Sequence, residues 1–197
     1  METKSKHKVV LIGDPMVGKT AILTRLVKNF FCDSKYTPTV GTNFAEWDAV
    51  PNDQQITLHI WDTAGTEQYR SLAPIFYQNA EAAIVCYSQD SHETEKSVVL
   101  WIRKFQEEVG NSALIAIAAN QKDKKNDDQC ESFAEKLSIE NGYLYKETSA
   151  KTGEGITELF QEVAEQVAMN ANPIKHLKVQ PKIVPVEKNE QPKKLCC

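Results

Sequence analysis

Eight residues, Gly13-Asp14-Pro15-Met16-Val17-Gly18-Lys19-Thr20, constrain this chain more than any other segment. They fit the pattern G-x-x-x-x-G-K-[ST]. They lie between an apolar run, 8–12, that reads as a strand and a helical pattern from about Lys19 with Ile22, Leu23, Leu26 and Val27 on one face. Glycine at 13 and 18 lets the backbone turn its N–H groups round an oxyanion with no Cβ in the way. The start of the helix adds the positive end of its dipole. Lys19 supplies a full charge for the outer phosphates of a ligand, and the Thr20 hydroxyl is a hard oxygen suited to Mg2+. A glycine-bounded turn followed by a chance Lys-Thr is the plain alternative. It leaves the order of strand, loop and helix without a reason. The pattern implies a nucleoside triphosphate and is silent about the base.

Downstream, apolar runs and helical patterns alternate, which is the mark of an α/β fold with a mainly parallel sheet. Strands are expected over 44–50 and 55–61, joined by Pro51-Asn52-Asp53 as a tight antiparallel turn. The dense apolar runs 82–87 and 114–119 read as strands buried on both faces. Helices are expected over about 93–109, 127–140 (stopped by Asn141-Gly142) and 156–169, where Ile156, Leu159, Phe160, Val163 and Val167 fall at helical spacing. Residues 146–155, between a short strand and that last helix, are polar and turn-like. His7, His59, His92 and His176 form no catalytic constellation, and the charged run 122–128 reads as a solvated loop.

Beyond residue 170 periodicity vanishes and four of the eight prolines fall in the last 25 residues, so 171–197 reads as a disordered tether. That tail holds six lysines against two glutamates, +4, which leaves about −8 on the body of a chain whose net charge is −4. The acidic body argues against a nucleic-acid partner, while the basic tail suits an anionic surface such as a membrane. The five cysteines, at 32, 86, 130, 196 and 197, show no metal-ligand spacing and no disulfide framework. No apolar run of 18 residues and no signal-type N-terminus is present, so any membrane contact is expected from an anchored soluble domain.

Four further blocks follow the phosphate loop in order. They are Tyr36-Thr37-Pro38-Thr39-Val40-Gly41, Trp61-Asp62-Thr63-Ala64-Gly65, Asn120-Gln121-Lys122-Asp123 and Glu147-Thr148-Ser149-Ala150-Lys151. With them, residues 6–170 resemble the G domain of the Ras superfamily of small GTPases. The resemblance implies the P-loop NTPase fold: a mostly parallel six-stranded sheet with one antiparallel edge strand and helices on both faces. It implies GTP or GDP with Mg2+ as ligand. Gly13, Asp14, Pro15, Met16, Val17, Gly18 and Lys19 would cradle the phosphates, and Thr20, Thr39 and (through water) Asp62 would hold the metal. The Gly65 N–H would reach the terminal phosphate, Phe31 would stack on the base, and Asn120, Gln121, Asp123, Ser149, Ala150 and Lys151 would surround it. A carboxylate at 123 can accept from both N1–H and the 2-amino group of guanine, a donor pair that adenine lacks. An ATP-using P-loop enzyme would have no role for Asp123 or the 147–151 loop.

Within that superfamily the chain looks most like a Rab, and the stretch YRSLAPIFYQNAEAAIVCY resembles the endocytic, early-endosomal branch. Phe44, Trp61 and Phe76 match three hydrophobic positions that Rabs present to effectors, with burial in the core as the alternative. The terminal Cys196-Cys197, where a C-a-a-X box would need cysteine at 194, resembles the doubly prenylated end of Rabs. The resemblance therefore implies a monomeric switch with effectors, an exchange factor, a GTPase-activating protein and prenylation and extraction machinery as partners. It would work on the cytoplasmic face of intracellular, foremost endosomal, membranes, with a soluble cytosolic pool.

Four departures bear on turnover and affinity. Thr66 stands where the family carries the water-orienting glutamine, and Pro15, with no N–H and a bulky ring, stands near the terminal phosphate. Both imply slow hydrolysis, and a binding module that persists in its GTP state is the competing reading. Gln121 replaces the lysine of N-K-x-D, which implies weaker nucleotide binding. One extra residue separates Phe31 from Thr39.

Overall fold

The computed structural model describes residues 4–33, 39, 41–63, 73–124 and 132–170. Among them the expected alternation is realised as six strands and five α-helices: β1 (Ser5–Ile12), α1 (Lys19–Lys28), β2 (Thr42–Ala49), β3 (Ile56–Thr63), α2 (Ala73–Tyr77), β4 (Ala82–Ser88), α3 (His92–Val109), β5 (Leu114–Asn120), α4 (Phe133–Asn141), β6 (Leu144–Glu147) and α5 (Ile156–Met169). The strands form one sheet in the order β2-β3-β1-β4-β5-β6, antiparallel between β2 and β3 and parallel elsewhere. That is the sheet expected for a P-loop G domain, and its single antiparallel strand lies at the edge.

Strand β1 is the axis of the molecule. Its side chains alternate between the two faces, as period 2 requires. Val9 and Leu11 join a cluster with Ile22 and Leu23 of α1 and Ile156, Leu159, Phe160, Val163 and Val167 of α5. Val10 and Ile12 join a second cluster with Val98, Trp101, Ile102 and Phe105 of α3. The apolar spacing of α3 and α5 is thus the spacing of their buried stripes. Every residue of β4 is buried, as its uninterrupted apolar run implies.

Local chemistry sets the boundaries. Strand β1 begins earlier than the apolar run because its polar start is satisfied: buried His7 is 2.8 Å from Glu81 through Nδ1 and 2.9 Å from Ser5 Oγ through Nε2. Pro51–Asp53 makes one 3-10 turn between β2 and β3. Helix α3 starts where the Ser91 hydroxyl accepts from the Thr94 N–H. Helix α4 begins only after Ser132, which caps the Glu135 N–H, and ends at left-handed Gly142; residues 127–131 of the longer expected helix lie outside the described set. Val27, expected on the buried face of α1, is 42% exposed.

Phe105 is fully buried and meets Tyr77 edge to face at 5.5 Å, whereas Leu100 on the same helix is 54% exposed. Phe105→Ala should therefore lower the free energy of unfolding by about 3–5 kcal/mol in urea titration. Leu100→Ala should change it by no more than about 0.5 kcal/mol.

Candidate functional site

The C-terminal ends of β1, β3, β4 and β5 lie around residues 13–20, at the point where neighbours of β1 lie on either side of it. Two glycines make the close approach possible. Gly13 (φ 138°) passes so near β4 that a Cβ would lie 2.2 Å from the Cys86 carbonyl oxygen. Gly18 (φ 92°) passes so near the end of β5 that a Cβ would lie 2.4 Å from Asn120 Nδ2. Pro15 and Met16, between them, are exposed. Asp14 turns aside, its carboxylate accepting from Trp101 Nε1 of α3 at 3.0 Å.

Lys19 opens α1 and is only 6% exposed. Its ammonium donates to the carbonyls of Gly13 at 2.9 Å and Asp14 at 2.8 Å, which leaves one of its three donors for a ligand. Burial holds its pKa below the usual lysine range, against the opposing pull of nearby Cys86, Asp62 and Asp14. Burial likewise pushes the Cys86 thiol up to about 12, so it stays protonated.

Beside the lysine lies a corner of hard oxygens. The Thr20 hydroxyl donates to Asp62 Oδ2 at 2.7 Å, and the Thr39 hydroxyl is 2.8 Å from that of Thr20. Asn43 Nδ2 of β2 also donates to Asp62 Oδ2, at 3.1 Å. Asp62 is fully buried at the end of β3, and its other oxygen, Oδ1, has no hydrogen-bond partner. Burial raises its pKa, against the hydrogen bonds from Thr20 and Asn43 and the charge of Lys19. A buried carboxylate oxygen without a partner is costly, and a cation beside two hydroxyls would satisfy it. These residues fit Mg2+.

The side expected to face a base is assembled by Asn120, 1% exposed at the end of β5. Its Nδ2 donates to the Val17 carbonyl at 2.8 Å, and its Oδ1 accepts from the Ala150 N–H at 3.2 Å and Thr148 Oγ1 at 3.3 Å. One side chain thereby joins the phosphate loop to the 148–151 loop. Asp123, in the 3-10 turn Lys122–Lys124, accepts from Ser149 Oγ at 2.6 Å through Oδ1. Gln121 donates from Nε2 to the Met16 carbonyl at 2.9 Å. The N–H of Ala150, one of the residues expected round the base, is engaged by Asn120 here. Lys151 is exposed, with Nζ 3.9 Å from the Asp33 carboxylate, which brings 31–33 alongside this loop. The Phe31 ring is partly buried and packs on the core cluster beneath α1 and α5.

Phe44 and Trp61 are cross-strand partners with ring centroids 5.2 Å apart, and Trp61 reaches Phe76 at 6.4 Å. Phe44 is 49% exposed; Trp61 and Phe76 are partly buried against the α3-side cluster. The three rings form one surface joined to the core beneath. Gly65, Thr66, Cys196 and Cys197 lie outside the described residues, as do 36–38 and 40 of the block 36–41.

Three contributors have no motif of their own. Arg25 of α1 pins the 148–151 loop by donating to the Ala150 carbonyl at 2.9 Å and the Lys151 carbonyl at 2.7 Å. Asn43 holds Asp62, and Trp101 holds Asp14. Their partners are 125, 126, 19 and 87 positions away, so no local signal marks them.

The Ras family model matches residues 8–169. Ras-related protein Rab-5A of Dictyostelium discoideum is 36% identical over 163 residues, covering 82% of this chain and 81% of that protein. GTP-binding protein YPT53 of Saccharomyces cerevisiae is 38% identical over 167 residues, 81% of this chain and 76% of its own length. GTP-binding protein ypt5 of Schizosaccharomyces pombe is 37% identical over 167 residues, 83% of this chain and 78% of its own. With the strand order and the lysine-tipped loop in place, matches over most of each protein leave one assignment: the chain belongs to the Ras family, as a Rab of the endocytic branch.

Proposed function

We propose that this chain is a GTP/GDP-binding switch of vesicle or endosomal membrane traffic that recruits effectors in its GTP state and hydrolyses GTP slowly. The observation that carries the reading is the corner where Thr20, Thr39 and the unpartnered buried oxygen of Asp62 meet beside the buried Lys19 ammonium. A magnesium triphosphate brings to that corner the cation Asp62 needs and the anion Lys19 needs.

On this reading the N–H groups of the 13–18 loop and Lys19 bind the phosphates, while Thr20, Thr39 and water-bridged Asp62 hold Mg2+. The metal would neutralise charge that develops on the phosphate oxygens. Asp123 checks for guanine, held in place by Ser149 Oγ. Asn120 orients the two loops, and Phe31 would stack on the base once turned from its packing. Thr39 and the Gly65 N–H engage only when a third phosphate is present, so they make the switch segments depend on nucleotide state. The Phe44–Trp61–Phe76 surface is the effector contact. Residues 6–170 form the GTP-binding domain. Residues 171–197 form a basic tether that carries lipid on Cys196 and Cys197 to the cytoplasmic face of a membrane, with two chains giving stable anchoring. The partners are effectors, an exchange factor, an activating protein and the prenylation and extraction machinery.

A second reading has its own support in Thr66 and Pro15. Threonine is too short to present the paired amide donor and acceptor that orient water, and proline offers no N–H. The chain would then act mainly as a persistent GTP-bound scaffold.

Lys19→Ala and Thr20→Asn should each abolish stable GTP retention in equilibrium binding with Mg2+, and ATP should not compete with GTP in the parent. Undiminished affinity in either variant removes the assignment. In single-turnover assays Thr66→Gln should raise hydrolysis on the order of tenfold, the scale of one added transition-state hydrogen bond. An unchanged rate means that Thr66 is not the bottleneck. Replacing Cys196 and Cys197 with serine should move a tagged protein from membranes to the soluble fraction; retained membrane signal refutes the lipid anchor.

A further inference from the structure

Gln121 stands where the N-K-x-D pattern carries lysine, and its backbone lies in the left-handed region (φ 61°). A non-glycine residue stays there only when its surroundings hold it. The side-chain amide is held from both ends. Nε2 donates to the Met16 carbonyl at 2.9 Å, while Oε1 accepts from Ser88 Oγ at 2.9 Å and from Lys124 Nζ at 3.1 Å. An ammonium can only donate and a carbonyl can only accept, so an amide wedged between them has one satisfactory orientation. Lys124 reaches Oε1 because the 3-10 turn is closed by its own N–H on the Gln121 carbonyl at 2.8 Å. Residues three apart in such a turn eclipse one another.

The far end of this chain of bonds is the phosphate loop. In a trans peptide the carbonyl and the following N–H point in opposite directions. Anchoring the Met16 oxygen on Gln121 and the Val17 oxygen on Asn120 therefore turns the N–H groups of Val17 and Gly18 away from the base-facing loop, toward the phosphates.

We propose that Gln121 and Lys124 form a latch between the base-facing loop and the phosphate loop, with Lys124 the positioning residue that slows nucleotide release. Lys124 returns, from three residues downstream, the positive charge that Gln121 lacks. Its ammonium polarises the amide and strengthens the donation to Met16. This rests on the nucleotide reading above and adds a residue outside the family motif that sets the lifetime of the bound state.

The test uses the full chain loaded with N-methylanthraniloyl-GDP in the presence of Mg2+, chased with excess GDP. Lys124→Ala should speed release by about fivefold, the scale of one exposed charge-assisted contact. The association rate and the single-turnover hydrolysis rate should stay unchanged, a split that general loss of folding does not produce. Lys124→Arg should restore slow release. In a Gln121→Ala background Lys124→Ala should add nothing, since the charge acts through the amide. If the protein retains GDP and Lys124→Ala is silent, or adds its full factor in the Gln121→Ala background, the latch is overturned while the nucleotide reading stands. Failure of the parent to retain GDP at all removes both.

Discussion

Two buried charges, neighbours at the start of α1 and the end of β3, are each left incomplete by the protein, and the rest of the site is arranged about that fact. The Lys19 ammonium is sealed among main-chain carbonyls, and burial depresses its pKa. The Asp62 carboxylate is fully buried with one oxygen unpartnered, and burial raises its pKa. Taking a charge from water without a close counter-charge is unfavourable, and only good geometry with an opposite charge offsets it. Lys19 and Asp62 do not bond to each other; Thr20, one position after the lysine, occupies the carboxylate instead. A ligand carrying both an anion for Lys19 and a cation for Asp62 relieves both at once. Binding such a ligand is then coupled to the stability of the fold itself.

The sheet order is what places these groups within reach of one another. Strand β1 runs between β3 and β4, so the loop it feeds is flanked by Asp62 at the end of one neighbour and the Cys86 carbonyl on the other. One strand further, β5 ends at Asn120, whose amide reaches back to Val17 across 103 positions of sequence. The close approach depends on the missing Cβ atoms of Gly13 and Gly18. Side chains there would push apart the strands whose ends make the site.

How legible this was in the sequence follows from the range of each interaction. The phosphate loop is contiguous, and its strand and helix are local patterns, so both its existence and its position could be read directly. The fold class could be read from alternating periods, and the antiparallel β2–β3 edge from the Pro51–Asp53 turn. Asp123 was legible as chemistry for guanine, but its tether to Ser149 Oγ belongs to the fold. Arg25 looks like an ordinary solvent-facing residue of an amphipathic helix until α1 is laid against the 148–151 loop. Gln121 looked like a plain loss of charge because Lys124 lies outside the motif, and only the 3-10 turn brings the two together. The aromatic trio could be read as surface or as core, and it proved to be partly both.

That dual character bears on how nucleotide state reaches the outer surface. The β2–β3 register pairs Asn43 with Asp62 and the next residue, Phe44, with Trp61. Successive strand residues face opposite ways. Asn43 and Asp62 therefore meet at the oxygen-lined corner, while Phe44 and Trp61 meet on the reverse face. On the proposed reading, a change in what Asp62 coordinates alters its hold on Asn43 and is transmitted one peptide unit to Phe44. The path needs no rearrangement of the core, because Trp61 is packed beneath on the α3-side cluster while Phe44, half exposed, rests edge-on against Trp61 and His59. A core-packed ring and a half-exposed ring thus share one surface, one residue along each strand from the corner behind it.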